Sequence, residues 1–322
     1  MLKRHVFTIA AAMLCVLSAV AGAAPFPERP IRMVLMISPG TGTDVVARFV
    51  ATAMSKQLGT PVVVENKAGA GGTIGTEFVA KSPSDGYTIL ITNGGHFTTP
   101  WLYDKLAYDP QTDFTPVAQV AASALAVAVA TNSPWQSMRE LLDDAKKRPG
   151  KLTFSSAGQG SASHLTGELM WSMAGVNVQH VPYKSASQAI VDVAGGQVDI
   201  AMNGMSGTLP LANGGKLRVL AVTSAKRSEL LPTVPTLDEV GLRDFEVISP
   251  IFALARVGTP EAIVSALSAA MTAAAATPEF KDLCHTQGLD VDIRGYAAMP
   301  AVMTREFARW KRMVVLTGAK AQ

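Results

Sequence analysis

The pattern of apolar and polar positions alternates between two periods along the first part of the chain. Short apolar or β-branched runs at residues 31–37, 61–65 and 87–92 predict strands, whereas residues 44–58 and 73–81 have the spacing of amphipathic helices. Strands that alternate with helices favour parallel pairing, with helices covering both faces of the sheet. The first part of the chain is therefore predicted to form one α/β unit.

The same alternation starts again near residue 124. The small apolar run 124–130 predicts a strand that crosses into a second unit, and residues 245–254 predict the return. Between them the pattern predicts helices at 138–148, 164–173 and 186–193 and strands at 152–156, 178–182, 198–202 and 217–223. Residues 260–316 are mostly helical in pattern. A chain that leaves one unit, builds a second and returns predicts two α/β lobes, joined by two crossing segments, with a ligand cleft between them.

The first residues have the features of a secretory signal. Lys3, Arg4 and His5 precede an apolar run at 6–20, and residues 21–23 are small enough for cleavage. The run is too short for a transmembrane anchor, so we expect no direct membrane insertion. We predict a signal peptide at residues 1–23, lobe 1 at 24–122 plus 248–322, lobe 2 at 123–247, and a periplasmic location.

The composition limits the partners of the protein. The chain carries 28 Lys and Arg residues against 25 Asp and Glu, and loss of Lys3 and Arg4 with the signal leaves 26 against 25. This balance does not favour nucleic acid or an anionic membrane surface, because both call for clustered basic residues. After cleavage Cys284 is the one cysteine left, so no intramolecular disulfide can form, and we expect it to be a small helix residue.

Three loops rich in Gly, Ser and Thr each follow a predicted strand and precede a predicted helix. Glycine lets backbone N–H groups converge, and a helix start adds unsatisfied donors and the positive end of the helix dipole. About five or six such donors, at roughly 1.5–3 kcal/mol each, suffice for micromolar binding of a carboxylate. The loop residues predicted to bind ligand are Pro39, Gly40, Thr41, Gly42 and Asp44; Ala70, Gly71, Gly72 and Thr73; and Gly160, Ser161, Ala162, Ser163 and His164.

Each of these predictions has a structural alternative. One loop taken alone is equally well explained as a tight turn, whereas three loops across two lobes favour a ligand site. Asp44 lies in a first helical turn, where a carboxylate either caps the helix or organises the ligand through water. Asn93 orients a ligand or only forms a turn, and Tyr183 with Lys184 contacts ligand or faces solvent. Asn203 completes the predicted ligand-binding set.

The residue sets of common enzyme and cofactor sites are missing from the sequence. Ile74 and Ser163 stand where the last glycine of G-x-G-x-x-G belongs, and no P-loop, G-x-S-x-G, H-E-x-x-H or C-x-x-C motif occurs. We therefore predict no catalytic residues, no metal and no cofactor. The alternative from another class is a secreted α/β hydrolase that uses Ser161, Ser163 and His164, but no acidic residue is placed to orient the histidine.

Segments along the whole mature chain resemble the Bug family of solute receptors, the binding subunits of tripartite tricarboxylate transporters. The segments are 38–44 (SPGTGTD), 65–75 (ENKAGAGGTIG), 85–88 (DGYT), 180–184 (HVPYK), 195–199 (GGQVD), 220–224 (LAVTS) and 232–236 (PTVPT). The resemblance implies a type II periplasmic-binding-protein fold, with a carboxylate held by the first two loops and the helix start of the third, partly through water. It also implies delivery to membrane subunits of a tripartite transporter, or in some relatives signalling to a sensor kinase.

The sequence departs from the family pattern at three places near the implied pocket. Ser38 and Thr41 replace a proline and a glycine of the first loop, and Ser185 replaces the glycine after the Tyr-Lys pair. Residues 250–252 stand where an aromatic Trp-Tyr-Gly element is usual. The ligand is thus expected to be a di- or tricarboxylate or related organic acid, with an aromatic acid still open, bound by a monomeric receptor.

Overall fold

The computed structural model describes residues 26–317, so the predicted signal peptide and its cleavage site lie outside the described residues. The chain forms ten strands, ten α-helices and two short 3-10 helices in this part. The strands are β1 (Ile31–Leu35), β2 (Val62–Asn66), β3 (Thr88–Thr92), β4 (Phe114–Ala130), β5 (Thr153–Ser156), β6 (Gln179–Pro182), β7 (Ile200–Gly204), β8 (Leu217–Val222), β9 (Ile248–Arg256) and β10 (Asp290–Arg294). The helices are α1 (Gly42–Leu58), α2 (Thr73–Ala80), α3 (Gly95–Leu102), α4 (Met138–Lys147), α5 (Ala162–Ala174), α6 (Ala186–Ala194), α7 (Met205–Asn213), α8 (Glu261–Ala275), α9 (Pro278–Thr286) and α10 (Met299–Thr317).

Strand β4 belongs to two sheets. Its part from Phe114 to Ala124 pairs with β9 and β10, in a first sheet ordered β2-β1-β3-β9-β4. Its part from Leu125 to Ala130 pairs with β7 and β8, in a second sheet that continues through β5 to β6. The continuous Ala- and Val-rich sequence of β4 is typical of a strand that is paired on both edges and covered on both faces.

The alternation of strands and helices is confirmed, but the prediction of parallel pairing holds only within two groups of three strands. β2, β1 and β3 are parallel, as are β6, β5 and β7. β9 and β4 are antiparallel to their neighbours, because they carry the chain between the two sheets instead of following a crossover helix. The sequence pattern also missed β10, α3 and α7, and it placed the start of β4 ten residues too late.

Buried residues form one cluster specific to the first sheet and another that spans both sheets. On α1, Val46, Val50 and Met54 recur every four residues and are at most 1% exposed. Cys284 belongs to this first cluster, and burial raises the pKa of its thiol to about 12. The second cluster joins Trp310 on α10 to residues of both sheets. Within residues 26–317, no single helix has the length and apolarity to span a membrane; only α8 and α9 taken together do, and they meet at 72°.

Thr223 ties the two connections between the sheets to each other. Its backbone N–H donates to the Leu125 carbonyl at 3.0 Å, and its hydroxyl accepts from the Leu125 N–H at 2.9 Å. The same hydroxyl donates to the Val247 carbonyl at 2.6 Å, and the Val247 N–H donates to the Thr223 carbonyl at 2.8 Å. Leu125 lies on the outward connection and Val247 on the return, so a completely buried threonine fixes their spacing.

His96 is buried among aromatic rings at the first turn of α3. Its ring lies 5.5 to 6.0 Å from the rings of Phe97, Phe114, Phe252 and Phe307, and its Nε2–H donates to the Pro110 carbonyl at 2.9 Å. Burial lowers the pKa of His96 to about 4. The imidazole is therefore neutral in the folded protein at a pH at which it would be charged in the unfolded chain.

We expect the free energy of unfolding to depend on pH through His96. Because its pKa is lower in the folded state, the stability that it contributes is present above pH 6.5 and is lost as the pH falls towards 4. When the pH falls from 7 to 5, protonation linked to His96 should lower the free energy of unfolding by about 2 kcal/mol. Urea unfolding of the unsubstituted protein and of His96→Gln at both pH values measures the effect; an equal loss of stability in both proteins would contradict it.

Candidate ligand-binding site

A cavity of about 280 Å³ lies between the two sheets, and every side chain that lines it is uncharged. Ser123, Leu125, Ser249 and Ile251 of β4 and β9 line it where the chain passes between the sheets. The other lining residues lie at helix starts, strand ends and one turn: Gly42, Thr43, Asn93, Ala157, Ser161, Ala162, Ser163, Ala186, Asn203, Gly204, Ser206, Gln287 and Leu289.

Asp44 organises the loop before α1 from inside the protein. Its carboxylate accepts hydrogen bonds from the Gly40 N–H at 3.0 Å, from two guanidinium nitrogens of Arg48 at 3.0 Å each, and from the Asn66 amide at 2.9 Å. Thr41 caps the helix, because its hydroxyl accepts from the Asp44 N–H. Burial by itself raises the pKa of Asp44, but the hydrogen bonds from Arg48, Gly40 and Asn66 together lower it below its ordinary value.

The start of α5 is held by its own serines. Ser161 caps the helix by accepting from the His164 N–H at 3.2 Å, and Ser163 accepts from the Ala157 N–H at 3.0 Å. The two hydroxyls lie 3.1 Å apart. Both residues line the cavity, so these bonds hold the third loop against the helix start that faces it.

His164 supports the third loop from behind rather than lining the cavity. Its Nδ1 accepts from the Gly160 N–H at 3.1 Å, which places its proton on Nε2. Its ring stacks on His180 at 4.0 Å, and His180 Nε2 lies 2.6 Å from the Ser156 hydroxyl. Burial lowers the pKa of His164, and burial together with repulsion from His164 lowers the pKa of His180 to about 4.

Backbone N–H groups at two helix starts reach the cavity without a partner. Those of Gly42 and Thr43 at α1, and of Ala162 and Ser163 at α5, meet no acceptor among the described residues. The starts of α6 and α7 contribute Ala186 and Ser206 to the same wall. Since each helix start carries a partial positive charge, the cavity has a positive potential with no cationic side chain in its wall.

Two asparagine amides complete the polar wall. The Asn93 side-chain oxygen accepts from the Gly95 N–H at 3.0 Å, which leaves its NH₂ group as a donor towards the cavity. Asn203 is 4% exposed and lines the cavity, and its side chain has no hydrogen-bond partner within residues 26–317. The amide atoms of Asn203 remain accessible from the cavity, so they are available to a polar ligand.

The structure brings six of the predicted ligand-binding residues into the cavity wall, and twelve lie elsewhere. The six are Gly42, Asn93, Ser161, Ala162, Ser163 and Asn203. Gly40, Thr41 and Asp44 make hydrogen bonds within the first loop, where Pro39 also lies, and Gly160 and His164 make one within the third. Ala70, Gly71, Gly72 and Thr73 of the second loop, with Tyr183 and Lys184, do not line this cavity.

Local contacts show what the residues outside the wall do. Gly72 has a φ of +95°, a conformation that favours glycine, and a Cβ there would lie 2.8 Å from the end of the flexible Met36 side chain. Tyr183 follows β6, and its hydroxyl donates to Asp192 on α6 at 2.8 Å; Lys184 is exposed.

Sequence reasoning missed the lining residues that no local motif marks. Ser123, Ser249 and Ile251 lie within strands, and Gln287 and Leu289 follow α9, more than 240 residues along the chain from Gly42 at the start of α1. For the strands, the alternation of side chains between faces is a usable signal: Ser123 and Leu125 face this cavity, and Ala122 and Ala124 face another. For Gln287 the sequence offers no comparable signal.

Most of the chain matches the model of one known protein family. Residues 46–318 match the model of the "Tripartite tricarboxylate transporter family receptor". The structure is similar to that of the periplasmic binding protein BugD, with 37% identity and a TM-score of 0.74 over 92% of this chain and 100% of BugD.

Two further similar structures contain an organic acid. An R. palustris protein with adipate is 33% identical, with a TM-score of 0.77 over 92% of this chain and 99% of that one. MatC of Rhodopseudomonas palustris with bound malate is 30% identical, with a TM-score of 0.73 over 90% of this chain and 100% of MatC. Both likenesses extend over the two sheets and the cavity between them, so the predicted type II periplasmic-binding-protein fold is confirmed. The chain therefore belongs to the tripartite tricarboxylate transporter receptor family, whose members include the Bug-type periplasmic solute-binding proteins.

Proposed function

We propose that this protein is an extracytoplasmic receptor that captures a small carboxylate, a di- or tricarboxylate or related organic acid, for a tripartite transporter. The observation that carries the proposal is the uncharged cavity at which unpaired N–H groups of α1 and α5 meet from two sheets. Donors fixed by the backbone bind an anion at little cost in ordering, because they are already oriented. The volume of about 280 Å³ suits a small acid, since it lies at the lower end of ligand pockets.

The two similar proteins with bound acids support this ligand class. Adipate and malate are both aliphatic and both carry two carboxylates. In this chain, helix starts on opposite sides of the cavity, α1 on one side and α5 to α7 on the other, provide two places for negative charge.

Binding without chemistry is the second part of the proposal. Neither Ser161 nor Ser163 donates to the His164 ring; within the described chain, the Nδ1 of that ring accepts from Gly160 instead. The nearest carboxylate oxygen to its Nε2, on Glu168, is 3.8 Å away, beyond hydrogen-bond length. A serine hydrolase needs a serine bonded to the histidine and an acid that orients it, so this arrangement favours a receptor.

The two sheets with their helices correspond in this proposal to lobe 1, residues 24–122 plus 248–322, and lobe 2, residues 123–247, which close on the ligand. The signal at residues 1–23 directs the chain to the periplasm, where it acts as a monomer and delivers the ligand to the membrane subunits. The antiparallel connections joined through Thr223 support a hinge at this boundary.

A thermal-shift screen tests the proposal. Mature protein from Ala24 onward is heated with malate, adipate, citrate and benzoate in turn. A ligand that binds only the native state stabilises it by about 2.7 kcal/mol at a hundred times its Kd, so at least one acid should raise the Tm by several degrees. No shift with any of these acids, confirmed by calorimetric titration, would contradict the proposal.

Asp44→Asn should weaken binding of the acid found in that screen by about tenfold. The amide cannot accept from Gly40, Arg48 and Asn66 together, so the donors at the start of α1 lose their fixed positions. Asp144→Asn is a matched control, because Asp144 also pairs with an arginine four residues later but lies on α4, outside the cavity wall. Calorimetric titration compares the two variants; equal affinities would show that Asp44 only stabilises the helix.

A further inference from the structure

The turn that follows α9 reaches the cavity from the far end of the sequence. The Leu289 N–H donates to the Cys284 carbonyl at 2.9 Å, the Gly288 N–H donates to His285 at 3.1 Å, and Gly288 has a φ of +66°. Leu289 and Cys284 are both buried in the cluster of the first sheet. The turn is therefore held firmly by the helix that it ends.

Gly288 lies in direct contact with the backbone at the start of α7, on the second sheet. A Cβ on Gly288 would lie 2.6 Å from the Ser206 nitrogen and 2.9 Å from the Met205 carbonyl carbon. Both distances are to backbone atoms, which cannot rotate away. Only glycine allows the two backbones to approach this closely, and the approach closes one wall of the cavity.

Gln287 presents a free amide in that wall. A Cβ on Gly42, the first residue of α1, would lie 3.8 Å from the Gln287 Cβ and 3.9 Å from its side-chain oxygen. Within residues 26–317 the Gln287 side chain makes no hydrogen bond, although its backbone N–H bonds to Leu283 and Cys284. The amide thus lies beside the unpaired N–H groups of Gly42 and Thr43 and has its own NH₂ group to donate.

We infer that Gln287 is a specificity-determining residue that donates to the ligand's carboxylate beside the start of α1, and that the contact of Gly288 with α7 fixes its position. This inference rests on the proposed function. The second unpaired amide, Asn203, lies on the opposite sheet and is 4% exposed, so amides from both sides face the ligand. The NH₂ group of an amide donates a hydrogen bond to a carboxylate and also tolerates a neutral group. A carboxylate at the same position would repel an acid.

The test compares the affinities of Gln287→Ala and Gln287→Glu for malate and for adipate by calorimetric titration. We expect Gln287→Ala to lose about tenfold in affinity for the bound acid and Gln287→Glu to lose more, because it adds a negative charge beside the ligand. Gln197→Glu is the matched control, since it makes the same change at an exposed glutamine outside the cavity wall and should bind as the unsubstituted protein does.

The role of Gly288 is tested against a glycine with the same backbone conformation. Gly59 ends α1 with a φ of +66°, and a Cβ there would have no atom within 4 Å. Gly288→Ala and Gly59→Ala therefore carry the same backbone strain, but only the new methyl group at position 288 would collide with the backbone at the start of α7. We expect Gly288→Ala to lose at least about tenfold in affinity and Gly59→Ala to keep it; thermal unfolding without ligand checks that both fold.

The outcomes separate this inference from the proposed function. If the unsubstituted protein binds malate or adipate and both Gln287 variants bind equally well, the inference is wrong and the receptor function stands. If Gly288→Ala does not fold, the two Gln287 variants still decide the result. If the unsubstituted protein binds none of malate, adipate, citrate and benzoate, the proposed function fails and the inference fails with it.

Discussion

The structure depends on one strand serving two sheets. β4 pairs with β9 and β10 along its first part and with β7 and β8 along its second, so the sheets are joined by continuous hydrogen-bonded backbone and not by a loose linker. Where the chain crosses between the sheets, Thr223 makes hydrogen bonds to both Leu125 and Val247. This constraint places strand ends of both sheets, with the helices that follow them, around one cavity.

The cavity binds charge through backbone rather than through cationic side chains. A buried carboxylate such as Asp44, close to an anion site, would repel the ligand if its charge were unopposed. The Arg48 guanidinium opposes that charge, and the Asn66 amide donates to the same carboxylate. A further hydrogen bond to Asp44 holds the Gly40 N–H in place. The result is a rigid loop whose remaining N–H groups, at Gly42 and Thr43, are free for the ligand.

The third loop is organised by the same physical principle with different residues. Neutral His164 accepts from Gly160, and stacking on His180 holds the ring in place. The serines at the start of α5 bond to each other and to the backbone, which leaves the N–H groups of Ala162 and Ser163 without partners. In both loops the polar side chains stabilise the loop, and the backbone faces the cavity.

The sequence by itself determined the alternation of strands and helices, the glycine- and serine-rich helix starts, the absence of enzyme motifs and the family resemblance. These are local properties: hydrophobic periodicity, capping residues and short motifs are set by neighbours within a few residues. Asn203, which the sequence predicts to bind ligand, lies in the cavity wall, but its lack of a hydrogen-bond partner became visible only in the fold.

Only the tertiary structure decided which loops reach the cavity. The second loop has the richest glycine motif, yet Gly72 lies beside the Met36 side chain and outside the cavity wall. Gln287 and Gly288 lie in an ordinary helix-ending turn, yet contacts with Gly42 and Ser206 bring them into the wall. The physical reason is that a cavity is a property of surfaces brought together from distant parts of the chain: helix starts can be read from local sequence, but the distance between a turn and a helix start on the other sheet depends on how β4 and β9 pair.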